Sequence, residues 1–300
     1  MSYNYGGDVV HPYLGRVVLK KLDGGGPVSV GTQVVIPHAA AMPRNPQNIS
    51  YYTGVNSSAY VSGDNQGKKT PSCTITTVAN AAFLTAANLN SLIMYISTGS
   101  YSATNDKGNT DTWSILLDDL YNPLVYDGAK CASIQLRQQS TGGPIAISLA
   151  FLCQYGDSEN DGSLYPLTTF TSSSIEAGQI MDVTQVSWAS TADKVQSLDV
   201  NLVRPQGYVF YDDGTRYAAG IASGMFGGDL TISQSTKYST TPTTGFTLNI
   251  GTTGNGISCA GLTKLNEYVQ DLTMAPRTRV SQYSLYDSTN GGNPFTITAL

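Results

Sequence analysis

The sequence predicts a mainly β protein. Three observations carry that prediction: most segments alternate apolar and polar residues with a period of two, clusters of Gly, Pro, Asn and Asp separate them, and only one segment has clear helical spacing. At 300 residues the chain suffices for one large domain or two of ordinary size, and can bury about three quarters of its unfolded surface.

In chain order the alternating runs are residues 16–22 (RVVLKKL), 28–36, 73–78, 130–138, 145–152, 195–203, 229–234, 246–250 and 295–299. Each is bounded by turn-forming residues and reads as a half-buried strand. Residues 130–138 and 145–152 read as a hairpin whose connection includes Gly142, Gly143 and Pro144, the glycines permitting the positive φ of a tight reversal. After Thr85, a suitable N-cap, Leu89, Leu92, Ile93 and Ile96 fall on one stripe, which predicts a short helix lying on a sheet. Residues 262–272 carry Leu262, Leu265, Val269 and Leu272 at similar spacing and form a second, weaker helical candidate.

Between residues 154 and 174 the chain becomes polar and small (QYGDSENDGSLYPLTTFTSSS), which predicts a connection between two units, residues 1–160 and 161–300. A faint echo lies on either side: Lys130 with Ser133 matches Lys194 with Ser197, suggesting a duplicated β unit. Residues 1–155 carry nine basic and eight acidic side chains and residues 156–300 seven and thirteen, so acidic surface is expected on the second unit.

Charged residues make up only 12% of the chain, about half of the usual share, and the formal net charge is −5. That balance argues against an electrostatic grip on nucleic acid, which needs a clustered basic face. Cys73, Cys131, Cys153 and Cys259 form no C-x-x-C pair and sit in or beside apolar or Thr/Ser-rich runs, so they read as small buried hydrophobes in a reducing compartment, with neither a zinc site nor a disulfide framework. No window approaches eighteen consecutive apolar residues, and the N-terminal stretch lacks the pattern of a secretory signal; neither secretion nor membrane spanning is expected.

Catalytic signatures are sparse. The two histidines, His11 and His38, stand beside Pro12 and Pro37, and GISCAG (256–261) has the wrong spacing for a nucleophile elbow. Residues 157–162 (DSENDG) resemble the opening of a calcium loop, but Thr168 occupies the twelfth position where a bidentate Glu is needed, so a solvated acidic linker is the simpler reading. Asp118-Asp119 and Asp212-Asp213 are neighbours whose side chains point to opposite faces of a strand, and YDDGT (211–215) reads as a turn. Gly24-Gly25-Gly26 precedes a strand, not a helix, and is no nucleotide fingerprint. The nineteen tyrosines suit half-wet subunit contacts, and a ligand platform is the lesser alternative. No catalysis, cofactor or metal is expected.

Residues 126–152 (YDGAKCASIQLRQQSTGGPIAISLAFL), with 67–77 (GKKTPSCTITT) and the helix after Thr85, resemble the tail tube proteins of long-tailed bacteriophages. The matching positions are Gly128, Lys130 and Ser133; the hairpin residues Gly142, Gly143 and Pro144; and Gly67, Lys69, Pro71 and Ser72. The likeness is strong over roughly 70 residues of the first half and holds in strand order through the second. It implies two tail-tube-type β-sandwich or barrel domains, with a short helix packed on the first. It also implies a structural role in the virion tail: rings with pseudo-sixfold symmetry if three chains each give two domains, stacked into a channel for genome ejection and assembled in the host cytoplasm. The implied partners are further copies of the chain, a tape measure protein, tail-tip and terminator proteins, and genomic DNA that passes without specific binding, an acidic lumen repelling its phosphates. Lys68, Lys69 and residues 45–65 are candidates for a loop reaching the next ring. The alternatives are another virion component, such as a head–tail connector or decoration protein, and a non-catalytic glycan-binding β module.

Overall fold

The computed structural model describes residues 16–23, 29–36, 39–53, 61–79, 86–93, 111–118, 124–139, 143–156, 183–188, 191–193, 195–211, 216–224, 227–235, 246–250, 256–259, 262–270, 278–285 and 295–297. The spine of the molecule is β8 (Leu124–Gln138), a fifteen-residue strand shared by two arms of one eleven-stranded antiparallel sheet. Its first half pairs with β7 (Thr112–Asp118), which continues to β1 (Arg16–Asp23) and β2 (Gln33–Ile36). Its second half lies between β9 (Ala146–Leu152) and β12 (Val195–Val203). From β9 the sheet runs to β6 (Ser72–Val78) and β3 (Ala40–Arg44); from β12 it runs to β15 (Gly227–Ser235), β19 (Thr278–Leu285) and β18 (Leu262–Gln270).

The two arms meet at a bulge. Ile115 stands opposite Tyr126 and Trp113 opposite Ala129, so Asp127 and Gly128 together face the single residue Ser114. Gly128 has φ +62°, and a Cβ there would lie 2.7 Å from the Cβ of Gln154. Glycine is required twice over, for the left-handed backbone and for the close approach. An extra residue bends a strand and strengthens its twist, which lets β8 leave one arm and enter the other. The turn is secured from behind, where the Asp127 N–H donates to the Tyr155 carbonyl and the Gln154 and Tyr155 N–H groups donate to the Asp127 carbonyl, at 3.0–3.1 Å.

Period-two alternation puts Val17 and Leu19 of β1, Val34 and Ile36 of β2, and Trp113 and Ile115 of β7 into one core. The same core receives Cys73 and Ile75 from β6, Ile134 and Leu136 from β8, and Ile147, Leu149 and Phe151 from β9. It extends along the other wing through Leu198, Val200 and Leu202, then Leu230, Ile232, Tyr283 and Leu285. Each fully buried aliphatic side chain contributes about 1.5–3 kcal/mol, so this cluster is the main stabilising mass of the molecule. The opposite face of the β1–β7–β8 arm is also closed, by Val18, Leu116 and Val125 with Val35 against them. The helix α1 (Ala86–Ile93) contributes Leu89 and Leu92 to the main core and contacts both β8 and β20 (Phe295–Ile297).

The remaining strands make smaller sheets. β11 (Thr191–Asp193), β10 (Val183–Trp188), β16 (Phe246–Ile250) and β17 (Gly256–Cys259) pair in that order and end on β20. Two ribbons complete the description: β4 (Gln47–Thr53) with β5 (Val61–Lys69), and β13 (Gln206–Val209) with β14 (Gly220–Ser223).

The mainly β prediction holds, and the alternating runs fall on β1, β2, β6, β8, β9, β12, β15, β16 and β20. Three expectations are corrected. Residues 262–270 form β18, not helix: the spacing of Leu262, Leu265 and Val269 comes from a strand with a bulge between Lys264 and Asn266, and pairing along β19 overrides the helical reading. The β8–β9 hairpin forms, but Gly143 does not take positive φ; among the described residues Gly31 and Gly128 do, and Gly142 lies outside them. Residues 47–53 and 61–65, expected within a flexible loop, belong to the β4–β5 ribbon. The expected connection from 157 to 174 lies outside the described residues, as does Lys194 of the echo; the strands carrying the echo, β8 and β12, are hydrogen-bonded neighbours.

Candidate assembly surface

Two of the three motif strings meet at one end of the sheet. β6 begins at Ser72 directly after Pro71; Ser72 stands opposite Leu152, and Leu152 stands opposite Lys130, so one row crosses three strands. The register then slips between Cys131 and Ser133, leaving Ala132 bulged. The bulge releases two carbonyls from the ladder. That of Ala132 accepts the Arg204 N–H at 2.9 Å, and that of Cys131 accepts Gln206 Nε2 at 3.0 Å. Gln206 Oε1 in turn accepts from Ser223 Oγ at 2.8 Å, so the bulge beside Lys130 docks the β13–β14 ribbon. Ser133 resumes the ladder opposite Ala150 and Val203. Gly143 and Pro144 sit at the far end of the hairpin, where Gln138 Nε2 donates to the Gly143 carbonyl at 2.8 Å.

Gly67, Lys68 and Lys69 close β5 and bind the two ribbons together. The Lys69 N–H donates to the Arg216 carbonyl at 2.8 Å, and its ammonium lies 5.4 Å from the Tyr217 ring centre. Lys68 Nζ donates to the Tyr211 carbonyl at 3.0 Å and stands 5.6 Å from the Phe210 ring. Rings extend both contacts: Tyr217 packs on Tyr155 at 5.2 Å between centroids, and Tyr208 stacks with Phe210 at 6.0 Å. The Tyr208 hydroxyl donates to the Pro71 carbonyl, which also accepts the Cys153 N–H at 2.8 Å. Half-exposed cation–ring pairs of this kind contribute about 0.5–1 kcal/mol each. Both ammonium groups, expected to reach a neighbouring ring, thus have contacts within their own chain.

The long wing of the sheet runs β3–β6–β9–β8–β12–β15–β19–β18 and leaves both of its ends without a paired strand among the described residues. β18 is exposed along most of its length, with Leu265 64%, Tyr268 46% and Val269 51% accessible. At the opposite end β3 presents Met42 at 59%. β18, nine residues long and without a second paired strand among the described residues, exposes Leu265, Tyr268 and Val269 and offers a template on which another chain can pair. The face turned away from the core is mainly small and uncharged: Thr74 and Thr76, Ser148, Ser133 and Gln135, Asn201, Thr231, Gln282 and Ser284. Its charges are largely answered across strands. Asp199 accepts from Gln135 at 2.8 Å and lies 3.7 Å from Arg137, and Asp229 accepts from Asn201 at 3.0 Å.

Reactive groups are muted. Burial pushes the Cys73 and Cys131 thiols up to about 12 and that of Cys153 well above its ordinary value, which keeps all three protonated and non-nucleophilic at neutral pH. Among the described residues no group of three or more His, Cys, Asp or Glu side chains could hold a metal ion. No helix among them is long and apolar enough to cross a membrane. His11, His38, Asp119, Asp212, Asp213 and residues 157–162 lie outside the described residues. Sequence reasoning missed Gln206, which has no local sequence signal, and Tyr208 and Tyr217, whose only signal is the abundance of tyrosine; it also missed the edge strand β18. No protein-family model matches the chain, and a search of the curated proteins finds no match to it.

Proposed function

We propose that this chain is a non-catalytic structural subunit that polymerises edge to edge, as a tail tube protein of a long-tailed bacteriophage does. The observation that supports it most is that β18, with Leu265, Tyr268 and Val269 exposed, ends one side of the sheet and β3 ends the other, neither having a second paired strand among the described residues. Contacts between two different edges of a chain join copies head to tail, and they close into rings when the rotation per subunit allows. In this reading stacked rings form the channel, and the tape measure, tail-tip and terminator proteins are the partners in the virion. The family strings around Ser72 and Lys130 act by fixing the end of the sheet and its ribbons.

Negative-stain microscopy of purified protein tests the reading: rings or hollow tubes are expected. Val269→Lys places a charge on the free edge and is expected to leave a folded monomer by circular dichroism and size exclusion, with assembly lost. Wild-type protein that stays monomeric at all concentrations, even with tail-tip partners, overturns the proposal. A stable monomer that binds glycans points instead to the carbohydrate module, and labelling on particle heads points to a connector or decoration protein.

A further inference from the structure

A separate feature lies deep in the β1–β7 arm. Lys21 Nζ is 2.7 Å from Asp111 Oδ2, and the two side chains are 0% and 4% accessible. Period-two alternation, unbroken until the bulge at Leu22 between the pairs Lys21–Trp113 and Asp23–Thr112, puts the lysine on the core face of β1, in step with Val17 and Leu19. Asp111 immediately precedes β7, and Ser91 of α1, itself buried between Leu89 and Leu92, donates its hydroxyl hydrogen to the same oxygen, Oδ2. Three elements therefore converge on one carboxyl oxygen in a site closed to solvent.

We propose that Lys21 and Asp111 condense into an intramolecular isopeptide bond. Proton transfer along the existing hydrogen bond turns ammonium and carboxylate into amine and acid. The amine nitrogen then attacks Cγ of Asp111, forming the C–N bond. The second nitrogen proton passes to Oδ2, with the Ser91 hydroxyl as relay, and the Cγ–Oδ2 bond breaks to release one water. No oxidant, reductant or co-reactant is consumed. Two features favour the step. Groups held in contact react as if at concentrations of roughly 10⁵–10⁸ M, provided the approach is aligned. Condensation also replaces a buried ion pair, costly to desolvate, by a neutral amide, and it expels the water from an apolar core, which opposes hydrolysis. The bond would tie β1 covalently to the start of β7, closing a loop that contains β2 to β6 and α1.

Intact-mass spectrometry of the denatured full-length chain tests this directly. The expected mass is one water below that of the sequence, and a protease digest contains a branched peptide joining Lys21 to Asp111. Lys21→Arg restores the full mass. Asp111→Asn removes the carboxylate that takes the ammonium proton and is likewise expected to keep the full mass of its sequence. Ser91→Ala slows closure by roughly tenfold or more, read as the closed fraction against time after synthesis. Wild-type protein that keeps its full sequence mass after prolonged incubation in the folded state overturns the proposal and leaves a buried ion pair. Closure at an unchanged rate in Ser91→Ala removes the relay from the mechanism. The mass readout needs no assembly, so its failure and that of the tube reading are distinguishable.

Discussion

Gly128 shows how much of the fold one residue decides. Its φ of +62° is strained for any side chain, and an added methyl would meet Gln154 at 2.7 Å on Cβ and 2.9 Å on Oε1. Gly31 has φ +85° but nothing within 4 Å of its would-be Cβ. The pair separates the two penalties. Gly31→Ala is expected to cost about 1 kcal/mol from the left-handed backbone alone. Gly128→Ala adds overpacking at the point where β8 changes arms, and about 2–4 kcal/mol is expected. Urea titration of the two variants measures the difference. Equal losses would mean that Gln154 moves aside freely and that the bend is not held by close contact.

At the scale of elements, the three-strand unit β6–β9–β8 carries a row of thiols across its core face: Cys73 and Cys131 both stand opposite Phe151, and Cys153 follows β9. Burial raises the first two to about 12 from an ordinary value of 9.0. A raised value means that the folded state holds its protons longer than the unfolded chain. The stabilisation is therefore complete below pH 9 and is lost as pH climbs toward 12, by about 1.4 kcal/mol per pH unit for each thiol. Denaturant midpoints measured from pH 8 to 11 are expected to fall accordingly, with the loss reduced in Cys131→Ala relative to its own neutral-pH stability. A flat profile would show that water reaches the thiols. This unit was legible in the sequence because SCTITT (72–77) and AISLAFL (146–152) alternate cleanly between core and outer face. β18 was not, because a bulge breaks its alternation and an edge strand buries little of its own; Leu262, Leu265 and Val269 mimic a helical stripe while only Leu262 is buried. The bend in β8 was hidden for a related reason: Gly128 reads as part of a motif, and positive φ inside a strand has no composition signal of its own. The docking of the β13–β14 ribbon depends on Gln206 meeting a carbonyl 75 positions away, and nothing local announces that.

For the whole molecule, the proposed assembly joins surfaces that are short of charge. The chain has 12% charged residues, β18 neutralises Lys264 against Glu267, and Asp199 and Asp229 on the outer face are engaged by neighbours on the same sheet. Joining through backbone pairing and apolar contacts around Leu265, Tyr268 and Val269 is weakly sensitive to ionic strength, whereas joining through opposed charged faces weakens steeply once the Debye length falls to a few ångströms. Polymer yield, followed by light scattering and microscopy, is therefore expected to change by less than about twofold between roughly 0.05 M and 0.5 M salt. It is expected to rise as pH approaches the isoelectric point near 4.9, where the net repulsion of −5 per chain vanishes. A steep fall with salt would assign the joint to charged groups and would remove β18 as its centre, even if tubes form.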